Sequence, residues 1–145
     1  MTVEFTPFRA MHLQYLVPQA AQKRDHGALL ASGAAELLEG PIALTAWRRN
    51  VCLGMAGLIP VHQHRALAWA LLSEDAGAHM LTISRKVKRV LAVAPYRRVE
   101  ITVNASFIDG QRFALLIGGA LETPRPMRAY GPDGDDQYMY AIVRE

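Results

Sequence analysis

Apolar positions recur at two spacings along this chain, and the switches between them divide it into elements. From Arg98 to Asn104 the spacing is two: Val99, Ile101 and Val103 alternate with Glu100 and Thr102. Successive side chains of a strand leave opposite faces of the pleat, so this is a strand signature. Val3–Arg9 alternates more weakly, and Pro7 confines that strand to an edge or an end, because proline cannot donate to a ladder. Ile42–Arg48, Val51–Val61 and Arg65–Leu72 read as three further strands. Tight turns at Arg49-Asn50 and His62-Gln63-His64 join them, which predicts an antiparallel meander.

Between Met80 and Ala94 the spacing lengthens. Met80, Ile83, Val87, Val90, Leu91 and Ala94 fall three, four and one apart and draw one helical face. Arg85, Lys86, Lys88 and Arg89 cover the rest, and Pro95 ends the helix. Smaller helical pieces come earlier: Met11–Leu16 stopped near Pro18, Ala20–Leu30 running out at Ser32-Gly33, and Ala34–Leu38 halted by Gly40-Pro41. Beyond Asn104, Asp109 is a natural N-cap for a helix over Gly110–Ile117. That helix would carry Phe113, Leu116 and Ile117 on one side and close at Gly118-Gly119. Two final strands flank the turn Gly131-Pro132-Asp133-Gly134-Asp135. The order predicts a single α+β domain over residues 1–145, a mixed and mostly antiparallel sheet flanked by helices.

Composition narrows the classes. Of 145 residues, 51% are apolar and 20% charged, which suits one packed domain and argues against disorder. The net charge of +3 is compatible with an anionic ligand or an acidic partner and does not by itself demand nucleic acid. Cys52 is the only cysteine and cannot form an internal disulfide, as expected in a reducing compartment or for a chain indifferent to redox. Met1–Arg9 lacks the charged and apolar regions of a secretory signal. Gly, Pro or charge interrupts every apolar run before it reaches the length of a membrane span. His62, His64 and His79 lack the further ligands of a tetrahedral metal set, so no metal is expected. The chain holds no Gly-x-Ser-x-Gly elbow, no Walker loop and no dinucleotide fingerprint.

The central helix after a meander, the strand ending in Asn104, the helix closing at Gly118-Gly119 and the two last strands together resemble the GCN5-related N-acetyltransferase (GNAT) family. The resemblance implies a GNAT-like fold and an acetyl-CoA site where the fourth strand splays from the fifth. The family's loop into the central helix usually reads Gln/Arg-x-x-Gly-x-Gly/Ala, whose small residues let backbone N–H groups close on a pyrophosphate at the helix N-terminus. Here the loop is Ser73-Glu74-Asp75-Ala76-Gly77-Ala78-His79. Gly77 and Ala78 keep small positions. Glu74 replaces the Gln or Arg, Asp75 adds a second carboxylate, and His79 takes the last small position. Carried over, the resemblance implies cofactor contacts at Leu72, Ser73, Gly77 and Ala78, with Arg85 reaching a phosphate and Asn104 at the strand end. Two carboxylates beside a pyrophosphate repel it, so acetyl-CoA binding is expected to be weak or absent.

In the family's last helix a Tyr often protonates the departing thiolate, four positions before the terminal Gly. That position is Ala114 here, preceded by Phe113, which reads as core. Were the chain an enzyme, Glu74 and His79 are the nearest titratable candidates for a general base. The capping reading, in which either is an ordinary partner of the helix start, is preferred. The basic run Arg85–Arg89 admits three readings: a solvated helix face, a reach toward a CoA phosphate, or a contact with nucleic acid or an acidic protein. No aromatic residues interleave, so nucleic acid ranks last. Trp47 and Trp69 read as packing residues first, with the lining of an acceptor cleft by one of them as the alternative. Arg125, Arg128, Tyr130, Tyr138 and Tyr140 decorate the terminal hairpin, where cross-strand pairing and a contact surface explain them equally well.

Arg85-Lys86-x-x-Arg89, Asn104-x-Ser106, Arg112-Phe113-x-x-x-Ile117-Gly118 and the late Asp133-Gly134 hairpin occur in that order from Ser84 onward. Together they are similar to the small GNAT-like internal virion protein family of short-tailed phages. That narrower resemblance implies a virion-associated structural or ejection-related protein with acetyl transfer lost or vestigial. It would be found in the virion, and in the host cytoplasm during assembly, with portal, core or tail subunits as partners. The alternative is an active acetyl-CoA-dependent N-acetyltransferase.

Overall fold

The structure is a computed structural model and describes residues 2–145. Its elements are β1 (Glu4–Pro7), α1 (Lys23–Ser32), β2 (Ala43–Arg48), β3 (Val51–His62), β4 (Arg65–Leu72), α2 (Met80–Val93), β5 (Arg98–Asn104), α3 (Ile108–Leu116), β6 (Ala120–Leu121) and β7 (Gln137–Val143). Short 3-10 segments occupy Ala10–Tyr15, Ala20–Gln22, Ala34–Leu38 and Gly77–His79. The strand order is β1-β2-β3-β4-β5-β7-β6. The β4–β5 pairing is parallel, and β1–β2, β2–β3, β5–β7 and β6–β7 are antiparallel. This is the α+β, mostly antiparallel architecture that the sequence pattern predicts. Two compact units are distinguished along the chain. One runs to Ile59 and takes in Trp69–Ile83; the other comprises Pro60–Ala68 and Ser84–Glu145.

The first unit is built on an aromatic and aliphatic core. Phe8, Leu13, Leu16, Ala35, Ala43, Cys52, Met55 and Leu71 are buried together, with Trp47 and Trp69 packed against them as expected. Phe8 meets Trp69 edge-on at 5.0 Å. Pro7 ends the edge strand β1 opposite Leu44, where a residue without an N–H costs nothing. At Gly57 a Cβ would stand 2.8 Å from the Trp69 indole nitrogen and 2.9 Å from the Ile42 carbonyl, so only glycine fits. The helix expected over Ala20–Leu30 is a 3-10 turn followed by α1, which stops at Gly33 in the left-handed region (φ 69°). His12 pins the first 3-10 segment to β2. Its Nδ1 accepts the Arg9 N–H at 3.1 Å and the hydroxyl of fully buried Thr45 at 2.8 Å. Burial holds this imidazole below its ordinary value, with Arg9 acting in the same direction and Glu39 opposing. The Cys52 thiol, 2% exposed, is pushed up to about 11 by burial.

The second unit pairs β5 with β7 along its whole length, from Arg98↔Val143 to Asn104↔Gln137. On one face Val103, Ala114 and Tyr140 are buried, with Ile101, Phe107 and Tyr138 around them. On the alternate positions Glu100, 6% exposed, accepts bonds from Arg65 (2.7 and 3.0 Å) and from Arg98 (2.6 Å). Arg98 also pairs with Glu122. The Arg65 hydrogen bond, more than any other contact, holds the Glu100 carboxyl below its ordinary value.

Two expectations in this unit need correction. The helix starts at Ile108 with Phe107 at its N-cap, not at Gly110 with Asp109 capping. Asn104 starts the turn early: its Oδ1 accepts the Ser106 N–H and hydroxyl at 2.8 and 2.6 Å, and its carbonyl accepts the Phe107 N–H at 2.9 Å. Asp109 therefore falls inside the first turn. The inward residues of α3 also differ. Ala114 is fully buried and Ile117 nearly so, whereas Phe113 is half-buried and Leu116 is exposed. The Gly119 N–H bonds the Ala114 carbonyl at 2.9 Å and closes the helix end, while the Ala114 side chain is buried with Val103 and Tyr140. The last hairpin is less regular than expected. Only Ala120 and Leu121 form β6, because Pro124 and Pro126 interrupt the strand that would follow. The chain returns through a Met127↔Gln137 bridge and a turn in which the Gly131 N–H bonds the Asp135 carbonyl at 2.9 Å.

Candidate functional site

The loop between β4 and α2 is held by Ser73, which is 1% exposed. Its N–H donates to the Leu53 carbonyl at 2.9 Å, its Oγ accepts the Asp75 N–H at 3.1 Å, and its carbonyl accepts the Ala76 N–H at 3.2 Å. The His79 N–H bonds the Ala76 carbonyl at 2.9 Å. Gly77 and Ala78 head the helical segment that leads into α2, where the first N–H groups have no intrahelical partner. No heavy atom lies within 4 Å of where a Gly77 Cβ would stand. Two small residues thus stand at the positive end of a helix, with open space beside Gly77, as a pyrophosphate site requires. Glu74 and Asp75 are both exposed beside them and oppose an anion. A cleft of about 270 Å³ opens between Arg48, Val51, Leu53, Asp75 and His79. It brings the expected candidate His79 together with Asp75 above an apolar floor at Leu53.

Leu72, Ser73, Glu74, Gly77, Ala78 and His79 all belong to the first unit. Arg85 and Asn104 belong to the second. Arg85 is exposed on α2. The Asn104 side chain is committed locally, with Oδ1 to Ser106 and Nδ2 donating to Asp135 at 3.0 Å. Among the described residues no cluster of three or more His, Cys, Asp or Glu is placed to hold a metal ion, and no helix is long and apolar enough to cross a membrane.

One set of contacts had no sequence signal. β4 pairs with β5 only over Arg65–Leu67. Further along, within the first unit, the same edge of β4 is met by residues 17–22. The Gln22 side chain donates to the Ala70 carbonyl at 2.9 Å and accepts the Leu72 N–H at 2.8 Å. The Gln19 N–H bonds the Leu72 carbonyl at 2.9 Å, and the Glu74 N–H bonds the Val17 carbonyl at 3.1 Å. Pro18 and Ser73 form the bridge between them. A glutamine in a short helical turn is unremarkable in sequence, and its partners lie 48 and 50 residues away.

Acetyl-CoA, which the GNAT resemblance implies, therefore meets a divided site. The amides of Gly77 and Ala78 fit a pyrophosphate. The occupied β4 edge and the carboxylates of Glu74 and Asp75 do not fit the rest of the cofactor.

No family model matches this chain, and no curated protein matches it in sequence. Solved structures do match. Ard1 from Thermoplasma volcanium superposes with a TM-score of 0.74 at 14% identity, over 100% of this chain and 99% of that one. The GNAT-family acetyltransferase from Bacillus anthracis gives 0.69 at 12% identity, over 97% and 94%. The Salmonella typhimurium protein yncA, solved with its cofactor acetyl-CoA, gives 0.65 at 9% identity, over 100% and 95%. Likeness at these identities bears on architecture alone, and the architecture of this chain is the fold of the GNAT-family acetyltransferases.

Proposed function

We propose that this chain is a structural component of a phage particle, built on a GNAT fold in which acetyl transfer has lapsed. The observation that carries the lapse is Ala114. It is fully buried against Val103 and Tyr140, so core packing fills the position where a proton donor would stand. Glu74 and Asp75 support the same reading, since they repel an anion at the helix start. The particle assignment is supported by the ordered motifs from Arg85 to the Asp133-Gly134 turn. Arg125, Arg128 and Tyr130 are exposed in that terminal segment and suit a contact with another virion subunit, such as portal, core or tail protein. Mass spectrometry of purified particles should find the chain at a fixed copy number. Abundance in infected-cell cytosol with absence from particles defeats the reading. The double substitution Arg128→Ala with Tyr130→Ala should lower incorporation while leaving the domain folded; undiminished incorporation removes this segment as the contact.

A second reading, an acetyl-CoA-dependent N-acetyltransferase, is favoured by the open face of Gly77 and by the cleft that holds His79 beside Asp75. There His79 would take the acceptor amine's proton, and the thiolate would leave without a dedicated acid. An amine-acetylation assay separates the two. Turnover that His79→Ala lowers by roughly 10²–10⁴-fold would establish this second reading, and no turnover on any amine would end it.

A further inference from the structure

We infer that Val17–Gln22 is a built-in occupant of the β4 edge, a strap that excludes the pantetheine arm of an acyl-CoA from the same backbone groups. The inference goes beyond the lapse of catalysis, because it concerns who holds that edge and not whether transfer follows.

Strand geometry sets the direction of each group. The Ser73 N–H points to β3, where it bonds Leu53, so the backbone groups of Leu72 and Glu74 leave by the opposite edge. At its start β4 uses that same edge to pair with β5, through Arg65↔Arg98, Ala66↔Val99 and Leu67↔Glu100. After Leu67 the strand partner stops, and a strand edge without a partner presents N–H and C=O groups to any extended chain that carries amides. The pantetheine arm is such a chain, with two amides in an extended linker. Here those groups are already taken. The Ala70 carbonyl and Leu72 N–H are held by one side-chain amide, that of Gln22, at 2.9 and 2.8 Å. The Leu72 carbonyl and Glu74 N–H are held by the backbone of Gln19 and Val17, at 2.9 and 3.1 Å. Pro18, between them, has no N–H to leave unpaired at the Ser73 bridge. The strap is itself anchored, because Leu16 is 4% exposed in the core of the unit and the Gln22 N–H bonds the Gln19 carbonyl at 2.9 Å. Strap and ligand need the same four groups and cannot hold them together.

Calorimetry with acetyl-CoA, paired with hydrogen exchange at the Gln19 amide, reads this competition. Gln19 is the informative reporter because its partner, the Leu72 carbonyl, is one the ligand would claim. Gln22→Ala removes two hydrogen bonds from the strap, and Gln19→Pro removes a third at a backbone φ of −57° that proline adopts freely. Each variant should bind acetyl-CoA on the order of tenfold more tightly than the native chain, or gain binding where the native chain shows none. Ligand at saturation should strip protection from the Gln19 amide in the native chain and in Gln22→Ala. Unchanged affinity in both variants, absence of binding throughout included, overturns the inference. So does a Gln19 amide that stays protected at saturation. Detection of the chain in particles, or its absence there, would leave these results untouched, so this inference and the proposed function fail separately.

Discussion

The two units secure their polar interiors by different chemistry. In the first, two neutral contacts pin the strands: the His12 imidazole on Thr45 and the Gln22 amide on the β4 backbone. In the second the contacts are ionic: Arg65, Glu100, Arg98 and Glu122 form a chain of pairs around one buried carboxylate. Neutral pins satisfy backbone and hydroxyl groups without burying a charge, and they work only with one tautomer or one side-chain geometry. An ion chain tolerates small displacements, but removing its central carboxylate takes a partner from both Arg65 and Arg98 and leaves only the Arg98–Glu122 pair.

The largest expected effect breaks the ionic side. Glu100→Ala should destabilise the protein by about 3 kcal/mol, toward the low end for a broken buried pair because both arginines are partly exposed and can rehydrate. Urea unfolding with an unchanged m value measures it. A loss no greater than that of an ordinary surface substitution would show that the ion chain is incidental to stability. Next in size is Ala114→Tyr, which restores the ring that the GNAT resemblance places there. Overpacking against Val103 and Tyr140 should cost about 1–3 kcal/mol, with no acetyl transfer gained. Stability equal to the native chain together with new turnover would contradict the reading of Ala114 as core.

The smallest effect sharpens the comparison through pH. His12 is held below its ordinary value of 6.5, so the folded state favours the neutral ring while the unfolded chain takes up a proton. That contribution is complete above pH 6.5 and is lost as pH falls from there toward the folded value. Glu100 is held below its ordinary value of 4.5, so its contribution is complete above that value and is lost only in more acid solution. Acidification should thus loosen the neutral pin first and the ion chain second. His12→Gln should erase the upper step in the pH dependence of the urea midpoint and leave the lower one. A profile without the upper step in the native chain would sink the assignment.

Much of this fold was legible because it rests on local periodicity. The period of two in β5 and the helical face of α2 follow from burial of one side of each element, and Pro7 and Gly33 marked boundaries by backbone chemistry alone. The start of α3 was misplaced because the Asn104 side chain, not Asp109, organises the turn. Which α3 residue faces inward depended on packing against Val103 of β5 and Tyr140 of β7, a tertiary quantity with no trace in the pattern. The candidate loop was found by its small residues, Gly77 and Ala78, and its acidic character was plain from Glu74 and Asp75. The strap on β4 was not readable, because a glutamine becomes a substitute strand partner only once residues 48 and 50 positions away are brought beside it.

The buried thiol of Cys52 gives the first unit a clock. With its thiol pushed up to about 11 and its surface nearly all covered, it presents almost no thiolate to a reagent in neutral solution. Alkylation at Cys52 must therefore wait for the surrounding core of Phe8, Leu13, Leu16 and Met55 to part. The rate of labelling at this one sulfur reports how often that core opens, without a probe having to be introduced.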